Sequence, residues 1–177
     1  MKVIAFGASY STTSINRQFA HYAATYFRSE DVEVLNLLDY VVPMFTVDVE
    51  SAKGHPEGAK QFVAKLEEAD LLIISMGEHN GSYEAAFKNL FDWASRIKSK
   101  TFDQTKMLLL STSPGSRGGK SVLAQAEERF PRHGAEILAS FSLPNFDQNF
   151  SSNKGILVDD LRTSFEATIQ KVKAKII

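Results

Sequence analysis

Short apolar runs alternate with longer amphipathic segments along this chain. Residues 2–6, 71–76 and 106–110 are almost unbroken apolar stretches, which is typical of strands buried on both faces of a sheet. Weaker strands are predicted at residues 32–35 and 135–141. Most runs are followed by a segment with apolar residues at helical spacing. The alternation predicts βαβ units, in which parallel strands form a sheet and helices cover both of its faces.

Five helices are predicted between and after these strands. They span residues 15–27, a segment from His55 through Ala69, a segment from Phe87 to Ile97, a segment that ends at Arg129, and residues 156–175. Residues 37–55, with Pro43 near their middle, are predicted to be irregular. Five strand–helix units fit one domain, residues 1–177, with a flavodoxin-like three-layer α/β sandwich whose five parallel strands follow the order 2-1-3-4-5.

The composition restricts the chemistry of the protein. The chain carries 20 Lys and Arg against 21 Asp and Glu, so a net charge of -1 offers no field to attract nucleic acid or an anionic membrane. It contains no cysteine, which excludes disulfides, thiolate nucleophiles and iron–sulfur ligation, so redox chemistry requires a bound cofactor. Residues 1–6 are too short an apolar run for a signal peptide or a membrane span, and we expect a cytoplasmic protein.

The predicted strand order locates the binding site. In an open α/β sheet, ligands bind beyond the carboxyl ends of the strands, at the point where the strand order reverses. For the order 2-1-3-4-5 this point lies between the first and third strands. The loops after the first, third and fourth strands carry most of the Gly, Ser, Thr and Asn found between strands and helices. We therefore expect these three loops to form the site.

The first loop, residues 7–16, is rich in hydroxyl groups and precedes a helix. Five hydroxyl side chains stand within six residues, and the free N–H groups of a helix start attract anions. Neither the P-loop pattern nor the dinucleotide pattern G-x-G-x-x-G is present. Such neutral donors suit a single terminal phosphate, as in flavin mononucleotide (FMN). The alternative is that these Ser and Thr residues only cap the helix.

The second loop, residues 76–83, contains the pair Asn80-Gly81. Asn-Gly is typical of a β-hairpin, but this loop lies between a buried strand and an amphipathic helix, so a hairpin is not predicted. Both residues tolerate positive φ, which lets backbone amides turn towards a planar ring. His79 has no second His or carboxylate at ligand spacing, so no metal site is predicted.

The third loop, residues 111–119, has three glycines that permit a close approach of the backbone to a ligand. Arg117 in this loop is a candidate contact for a nicotinamide phosphate, and a solvated surface arginine is the alternative. The nucleophile elbow G-x-S-x-G is absent, which argues against a serine hydrolase.

Three segments resemble the NADPH-dependent FMN reductase family, which includes quinone, azo-dye and chromate reductases. The family pattern G-S-x-R-x-x-S-x-N after the first strand is matched at Ser9, Ser14 and Asn16. The family pattern P-E-Y-N-G-S, followed by L-K-N-x-x-D-W, is similar to GEHNGS followed by FKNLFDW in this chain. The loop SPGSRGG agrees with the family as well.

The resemblance implies a cofactor and a reaction. It implies non-covalently bound FMN, two-electron transfer from NADPH or NADH to a quinone-like acceptor or a free flavin, no catalytic side chain, and a homodimer or homotetramer. Together with the three loops, it predicts the following cofactor-binding residues: Ser9, Ser11, Thr13, Ser14, Ile15, Asn16, Gly77, Glu78, His79, Asn80, Gly81, Ser111, Ser113, Pro114, Gly115, Gly118 and Gly119.

Three positions depart from the family, and two other interpretations stay open. Ser11, Gly77 and His79 replace an arginine, a proline and a tyrosine. The loss of the arginine is expected to weaken phosphate binding, and His79 to change which acceptors fit. The alternatives are an electron carrier without enzymatic activity, disfavoured by the net charge near zero, and an interaction module that has lost FMN. The apolar run at residues 41–45 predicts a subunit interface, unless it folds back onto its own domain.

Overall fold

The computed structural model describes residues 1–176. Its helices and strands follow the predicted alternation, with additional short elements. In chain order they are β1 (Val3–Ala8), α1 (Ile15–Ala24), β2 (Val32–Val34), α2 (Val47–Lys53), α3 (Glu57–Glu67), β3 (Leu71–Met76), β4 (Glu78–His79), β5 (Ser82–Tyr83), α4 (Ala85–Ile97), β6 (Lys106–Thr112), α5 (Lys120–Arg129), β7 (Glu136–Leu143), α6 (Phe146–Asn149), β8 (Phe150–Ser151), β9 (Gly155–Ile156) and α7 (Asp159–Ile176).

Five strands form one parallel sheet in the order β2-β1-β3-β6-β7. Counting only these five strands, the order is 2-1-3-4-5, so the predicted flavodoxin-like topology is confirmed. The register places Ala8 beside Met76 and Met76 beside Ser111. The carboxyl ends of β1, β3 and β6 therefore lie side by side, and the three loops that follow them leave from the same edge.

The core has two halves, one on each face of the sheet. Successive side chains of a strand point to opposite faces, so Ile4 and Phe6 of β1 pack with α3, α4 and α5, while Val3 and Ala5 pack with α1 and α7. All four side chains are fully buried. This burial on both faces explains why the central strands read as continuous apolar runs.

Three local predictions were wrong. Residues 37–55 are not irregular throughout, because α2 forms after Thr46, whose hydroxyl oxygen accepts a hydrogen bond from the N–H of Val49. The last helix begins at Asp159, because Ile156 belongs to the β8–β9 hairpin. A second hairpin, β4–β5, occupies the loop after β3, where none was predicted. No helix among residues 1–176 is long and apolar enough to cross a membrane.

Candidate functional site

The loops after β1, β3 and β6 enclose a cavity of about 360 Å³ at the carboxyl edge of the sheet. This lies at the point where the strand order reverses, and its volume is in the usual range for a ligand pocket. The lining residues are Ser9, Ser11, Thr13, Ser14, Ile15, Asn16, Gly77, Glu78, His79, Thr112, Ser113 and Pro114. Eleven of the seventeen residues predicted from the sequence are among them.

The first loop is a chain of tight turns that ends in a capped helix. Ser9 Oγ accepts a hydrogen bond from the N–H of Ser11, and Ser11 Oγ accepts one from Thr13. Ser14 is the N-cap of α1, and its Oγ lies 3.1 Å from the N atom of Arg17. Among the described residues, no acceptor is found for the N–H groups of Ile15 and Asn16. Both residues line the cavity, so the helix start presents free donors there.

The side chain of Asn16 joins all three parts of the site. Its Oδ1 accepts hydrogen bonds from the Ser75 hydroxyl at 2.7 Å and from the N–H of Thr112 at 3.1 Å. Its Nδ2 donates to the carbonyl oxygen of Thr112 at 3.2 Å. Asn16 is buried, and so are both partners. The amide therefore fastens the start of α1 to the carboxyl ends of β3 and β6.

The second loop is a short β-hairpin with a two-residue turn. Glu78 pairs with Tyr83 and His79 with Ser82, while Asn80 (φ 51°) and Gly81 (φ 76°) form the turn. Positive φ at both turn positions is the geometry for which Asn-Gly is selected. The prediction against a hairpin was wrong because it relied on the flanking strand and helix. This hairpin has only two residues in each strand, so it fits between them. Asn80 and Gly81 consequently lie at its tip and do not line the cavity.

Glu78 connects the hairpin to the third loop. Its carboxylate oxygen Oε2 accepts a hydrogen bond of 3.0 Å from the N–H of Val122, in the first turn of α5. That contact satisfies one of the free donors at the helix start. At the hairpin tip, Gln125 of α5 donates to the carbonyl oxygen of Gly81 at 2.8 Å. The loops after β3 and β6 are thus held together by α5.

Gly77 lets the first two loops approach each other. A Cβ atom at this position would lie 2.8 Å from the carbonyl oxygen of Ala8 and 3.4 Å from Ser9 Cβ. The first of these distances is shorter than a side chain tolerates against a backbone atom. The glycine found here in place of the family's proline therefore matches a close contact between the loops.

Two glycines of the third loop, Gly118 and Gly119, are used for packing together with Ser111. Ser111 is buried, and its hydroxyl donates to the carbonyl oxygen of Gly118 at 2.8 Å. Gly118 and Gly119 have positive φ and lie against β7 and Ser111, where a Cβ atom would clash or crowd. Gly115 is exposed. Ser111, Gly115, Gly118 and Gly119 do not line the cavity, and only Ser113 and Pro114 of the predicted third-loop residues do.

Three residues near the cavity were missed from the sequence. Thr112 lines it, and its place as the last residue of β6 was the available signal. Tyr10 follows Ser9, and its hydroxyl donates to the carbonyl oxygen of Tyr40 at 2.9 Å. Burial, with a smaller contribution from the negative charge of Glu84, raises the pKa of Tyr10 to about 12, so its phenol stays protonated. Arg17 braces the first loop from outside the cavity.

Charged groups are few in this cavity. Glu78 and His79 are its only ionisable side chains besides hydroxyls, and no Lys or Arg lines it. Among residues 1–176, no group of three or more His, Cys, Asp and Glu side chains could hold a metal ion. The site offers hydroxyls, backbone donors and a mixed polar and apolar wall, which suit a bound organic cofactor better than side-chain acid–base catalysis.

A larger cavity, about 600 Å³, lies at the opposite edge of the sheet. Its lining includes Asp70, Lys106 and Met1, near the amino ends of β3, β6 and β1. Ligands of open α/β sheets bind at the carboxyl edge, and this cavity has no helix start or hydroxyl cluster comparable to the first loop. The smaller cavity is therefore the candidate functional site, on its position and its donors.

Sequence comparisons identify relatives of the chain. The pattern of the NADPH-dependent FMN reductase family matches residues 1–148. An uncharacterized protein of Mycoplasma pneumoniae is 31% identical over 146 residues, which cover 79% of this chain and 85% of that protein. An NAD(P)H-dependent FMN reductase of Pseudomonas aeruginosa is 32% identical over 67% of this chain and 64% of its own length. A quinone reductase of Escherichia coli is 28% identical, and the alignment covers 44% of this chain and 42% of that protein.

Solved structures share the architecture. FerB, a flavoenzyme NAD(P)H:acceptor oxidoreductase from Paracoccus denitrificans, superposes with a TM-score of 0.74 at 18% identity and covers 98% of both chains. An FMN-dependent NADH-azoreductase from Bacillus anthracis, solved with FMN, gives a TM-score of 0.60 at 14% identity over 99% of this chain and 98% of its own. Likeness at these identities shows the fold alone. The family match over residues 1–148 shows more, namely that this chain belongs to the NADPH-dependent FMN reductase family.

Proposed function

We propose that the protein binds FMN in the cavity formed by the first, second and third loops and reduces a quinone-like acceptor or free flavin with NADPH or NADH. The observation that carries this proposal is the start of α1. There, Ile15 and Asn16, whose N–H groups have no acceptor among the described residues, and four hydroxyl-bearing residues line a cavity at the point where the strand order reverses. The cytoplasm, where reduced nicotinamide is available, is the proposed location.

The donors fit a terminal phosphate. Ser9, Ser11, Thr13 and Ser14 supply hydroxyls, and the helix start supplies backbone N–H groups with the favourable end of the helix dipole. Ser14 Oγ uses a lone pair to cap the helix, which leaves its hydroxyl hydrogen free to donate. These residues would hold the phosphate of FMN.

The other side of the cavity fits a planar ring. Gly77, Glu78 and His79 from the second loop and Ser113 and Pro114 from the third loop would hold it. When bound, FMN supplies the electron-transfer chemistry between the nicotinamide and the acceptor. The carboxylate of Glu78 is engaged by the N–H of Val122, so this side chain positions backbone and is not a free acid or base. The protein's part is binding and orientation.

Two measurements test the cofactor and the reaction. Titration of the purified protein with FMN, FAD and riboflavin, followed by flavin fluorescence, is expected to show tightest binding of FMN. Oxidation of NADH and NADPH is then measured with FMN bound, against a panel of quinones and free flavin. Equal or tighter binding of FAD would contradict the assigned phosphate loop. FMN binding without turnover on any acceptor would favour an electron carrier instead.

We also propose that the protein assembles as a homodimer, or as a homotetramer built from such dimers. The supporting observation is the segment formed by residues 41–47, which is pinned to α4. Trp93 Nε1 and Asn89 Nδ2 both donate to the carbonyl oxygen of Pro43, at 2.8 and 2.9 Å, and Asn89 Oδ1 accepts from the N–H of Phe45 at 2.8 Å. The Phe45 ring meets the Trp93 ring edge-on at 4.9 Å.

The pinned segment holds apolar side chains out to solvent. Val41, Met44 and Val47 are 75%, 70% and 66% exposed. Because the backbone is fixed by Asn89 and Trp93, these side chains do not collapse onto their own domain. A preorganised apolar surface of this kind is typical of an interface, and a second copy of the chain is its proposed partner. The hydroxyl of Tyr10 donates to the carbonyl of Tyr40, the residue just before the segment, and so connects the chain there to the first loop of the site.

A further inference from the structure

The cavity lacks a positive charge of its own. Its lining contains no Lys or Arg, and it includes the carboxylate of Glu78. The phosphate of FMN is a dianion near neutral pH, so hydroxyls and two backbone N–H groups alone would have to balance it. A cation close behind the lining would add to these donors in offsetting the charge, and the first helix carries one candidate.

Arg17 bridges the first loop and the segment that follows β2. Its Nη2 donates to the carbonyl oxygen of Thr12 at 2.8 Å, and its Nη1 donates to Asn36 Oδ1 at 2.8 Å. Thr12 stands between Ser11 and Thr13, which both line the cavity. No carboxylate lies within 4 Å of Arg17 among the described residues, so its charge is not neutralised locally.

The position of Arg17 has no advantage for the helix itself. A cation in the first turn opposes the helix dipole, which favours negative charge there. The guanidinium instead donates a hydrogen bond to the carbonyl oxygen of Thr12 from outside the cavity, which fixes the backbone of the first loop at this residue. It also adds a fixed positive charge directly behind the phosphate loop. The planar fork of the guanidinium holds these two donors in a fixed relative geometry, which the ammonium of a lysine does not.

We infer that Arg17 is a positioning residue for the phosphate of the cofactor: it holds the first loop in its binding conformation and supplies the charge that the lining lacks. This inference rests on the proposed binding of FMN. On this inference, a residue outside the cavity makes the protein bind FMN more tightly than riboflavin, which lacks the phosphate.

The test compares FMN with riboflavin in Arg17→Gln and Arg17→Lys. Loss of a charge-assisted contact predicts that Arg17→Gln weakens FMN binding about 10- to 30-fold while riboflavin changes by less than about threefold. Arg17→Lys keeps the charge but loses the bridge, and is expected to be intermediate. The FMN affinity of the wild type should fall with added salt more steeply than that of Arg17→Gln. Equal losses for both flavins, or no loss, would overturn the inference.

A double variant separates charge from folding. Ser11 lines the cavity, so Ser11→Arg places a guanidinium at the proposed phosphate site. If Arg17 supplies the missing charge, Ser11→Arg restores FMN affinity in the Arg17→Gln background and gains more there than in the wild type. Additive effects would contradict a shared role.

Asn36→Ala, which releases one end of the bridge but keeps the charge, is the milder variant if Arg17→Gln fails to fold. A wild type that binds neither flavin would defeat the proposed function instead.

Discussion

The hydroxyl of Ser75 donates a hydrogen bond of 2.7 Å to Oδ1 of Asn16, deep in the protein where both residues are buried. The same oxygen accepts the N–H of Thr112, and the amide nitrogen returns a hydrogen bond to the carbonyl of that residue. Asn16 thus satisfies the backbone N–H and carbonyl groups of Thr112, one residue beyond the last pair between β3 and β6. Its side chain therefore builds the site, and its backbone N–H is the donor left for a ligand at the start of α1.

Asn16→Ala is therefore expected to destabilise the fold as well as the site. It leaves the Ser75 hydroxyl and both backbone groups of Thr112 without their partner, and each buried unsatisfied group costs about 1–3 kcal/mol. The midpoint of urea unfolding should fall clearly, and FMN and riboflavin should lose affinity by similar factors. Asn16→Asp keeps the acceptor but turns a buried carboxylate oxygen towards the carbonyl oxygen of Thr112, so it is expected to be destabilised as well. Unchanged unfolding with a selective loss of FMN would show that the amide binds the phosphate directly.

Ser14→Ala should have the opposite signature. The cap on the N–H of Arg17 is worth about 1 kcal/mol, so the loss of stability is modest. The hydroxyl also lines the cavity, so FMN should lose more affinity than riboflavin. Thr101→Ala is a matched control, because it removes a hydroxyl that donates to the carbonyl of Lys98 at the end of α4, away from the cavity. Equal FMN affinity in Ser14→Ala and Thr101→Ala would exclude Ser14 from the phosphate site.

Features that depend on local composition could be predicted from the sequence, whereas the role of Asn16 could not. The continuous apolar runs predicted the parallel sheet, because burial on both faces needs nothing beyond local composition. The hydroxyl-rich first loop predicted the position of the candidate site from its local composition, and six of its residues line the cavity. The role of Asn16 could not be predicted, since its partners Ser75 and Thr112 lie 59 and 96 residues away. Helix α2 was missed because it has seven residues and none of them is buried, leaving the cap at Thr46 as its main signal.

Gly77→Ala tests the close approach of the first and second loops. The new Cβ atom would lie 2.8 Å from the carbonyl oxygen of Ala8, and relief of such a clash costs about 1–3 kcal/mol. We expect a lower melting temperature and weaker binding of both flavins, because the loops must separate. Gly115→Ala is the control for stability: its nearest neighbour would be Ser113 Oγ at 3.9 Å, an ordinary contact. If both variants melt like the wild type, the loop contact carries no strain.

His133 makes stability depend on pH. The residue is buried, and its Nδ1 lies 2.9 Å from the carbonyl oxygen of Ser99, so the neutral ring carries its proton on Nδ1. Burial lowers the pKa of His133 below its ordinary value in the folded state. The unfolded chain takes up a proton at about pH 6.5, while the folded chain does so only at lower pH. The stabilising contribution is therefore complete above about pH 6.5 and is lost as pH falls through the lowered pKa.

The measurement is urea unfolding at pH 7.5 and pH 5.5, for the wild type and His133→Gln. The wild type should lose stability between these values, and the variant should lose less. Protonation of Glu33 and Glu50 does not contribute between these two pH values. Ion pairing lowers the pKa of each from 4.5, so both carboxylates titrate at more acidic pH. Parallel losses in both proteins would remove His133 as the source.

Met44→Glu tests the proposed assembly. Met44 is 70% exposed in the segment pinned by Asn89 and Trp93, so a carboxylate there costs the monomer little. In an interface the same carboxylate would be buried without a partner, which is strongly unfavourable. Light scattering at micromolar concentration is expected to show a dimer or tetramer for the wild type and a monomer for Met44→Glu. Leu157→Glu is the matched control, because Leu157 is also an exposed apolar residue, at 41%, but lies outside this segment. A wild-type monomer that binds FMN and retains activity would end the assembly proposal.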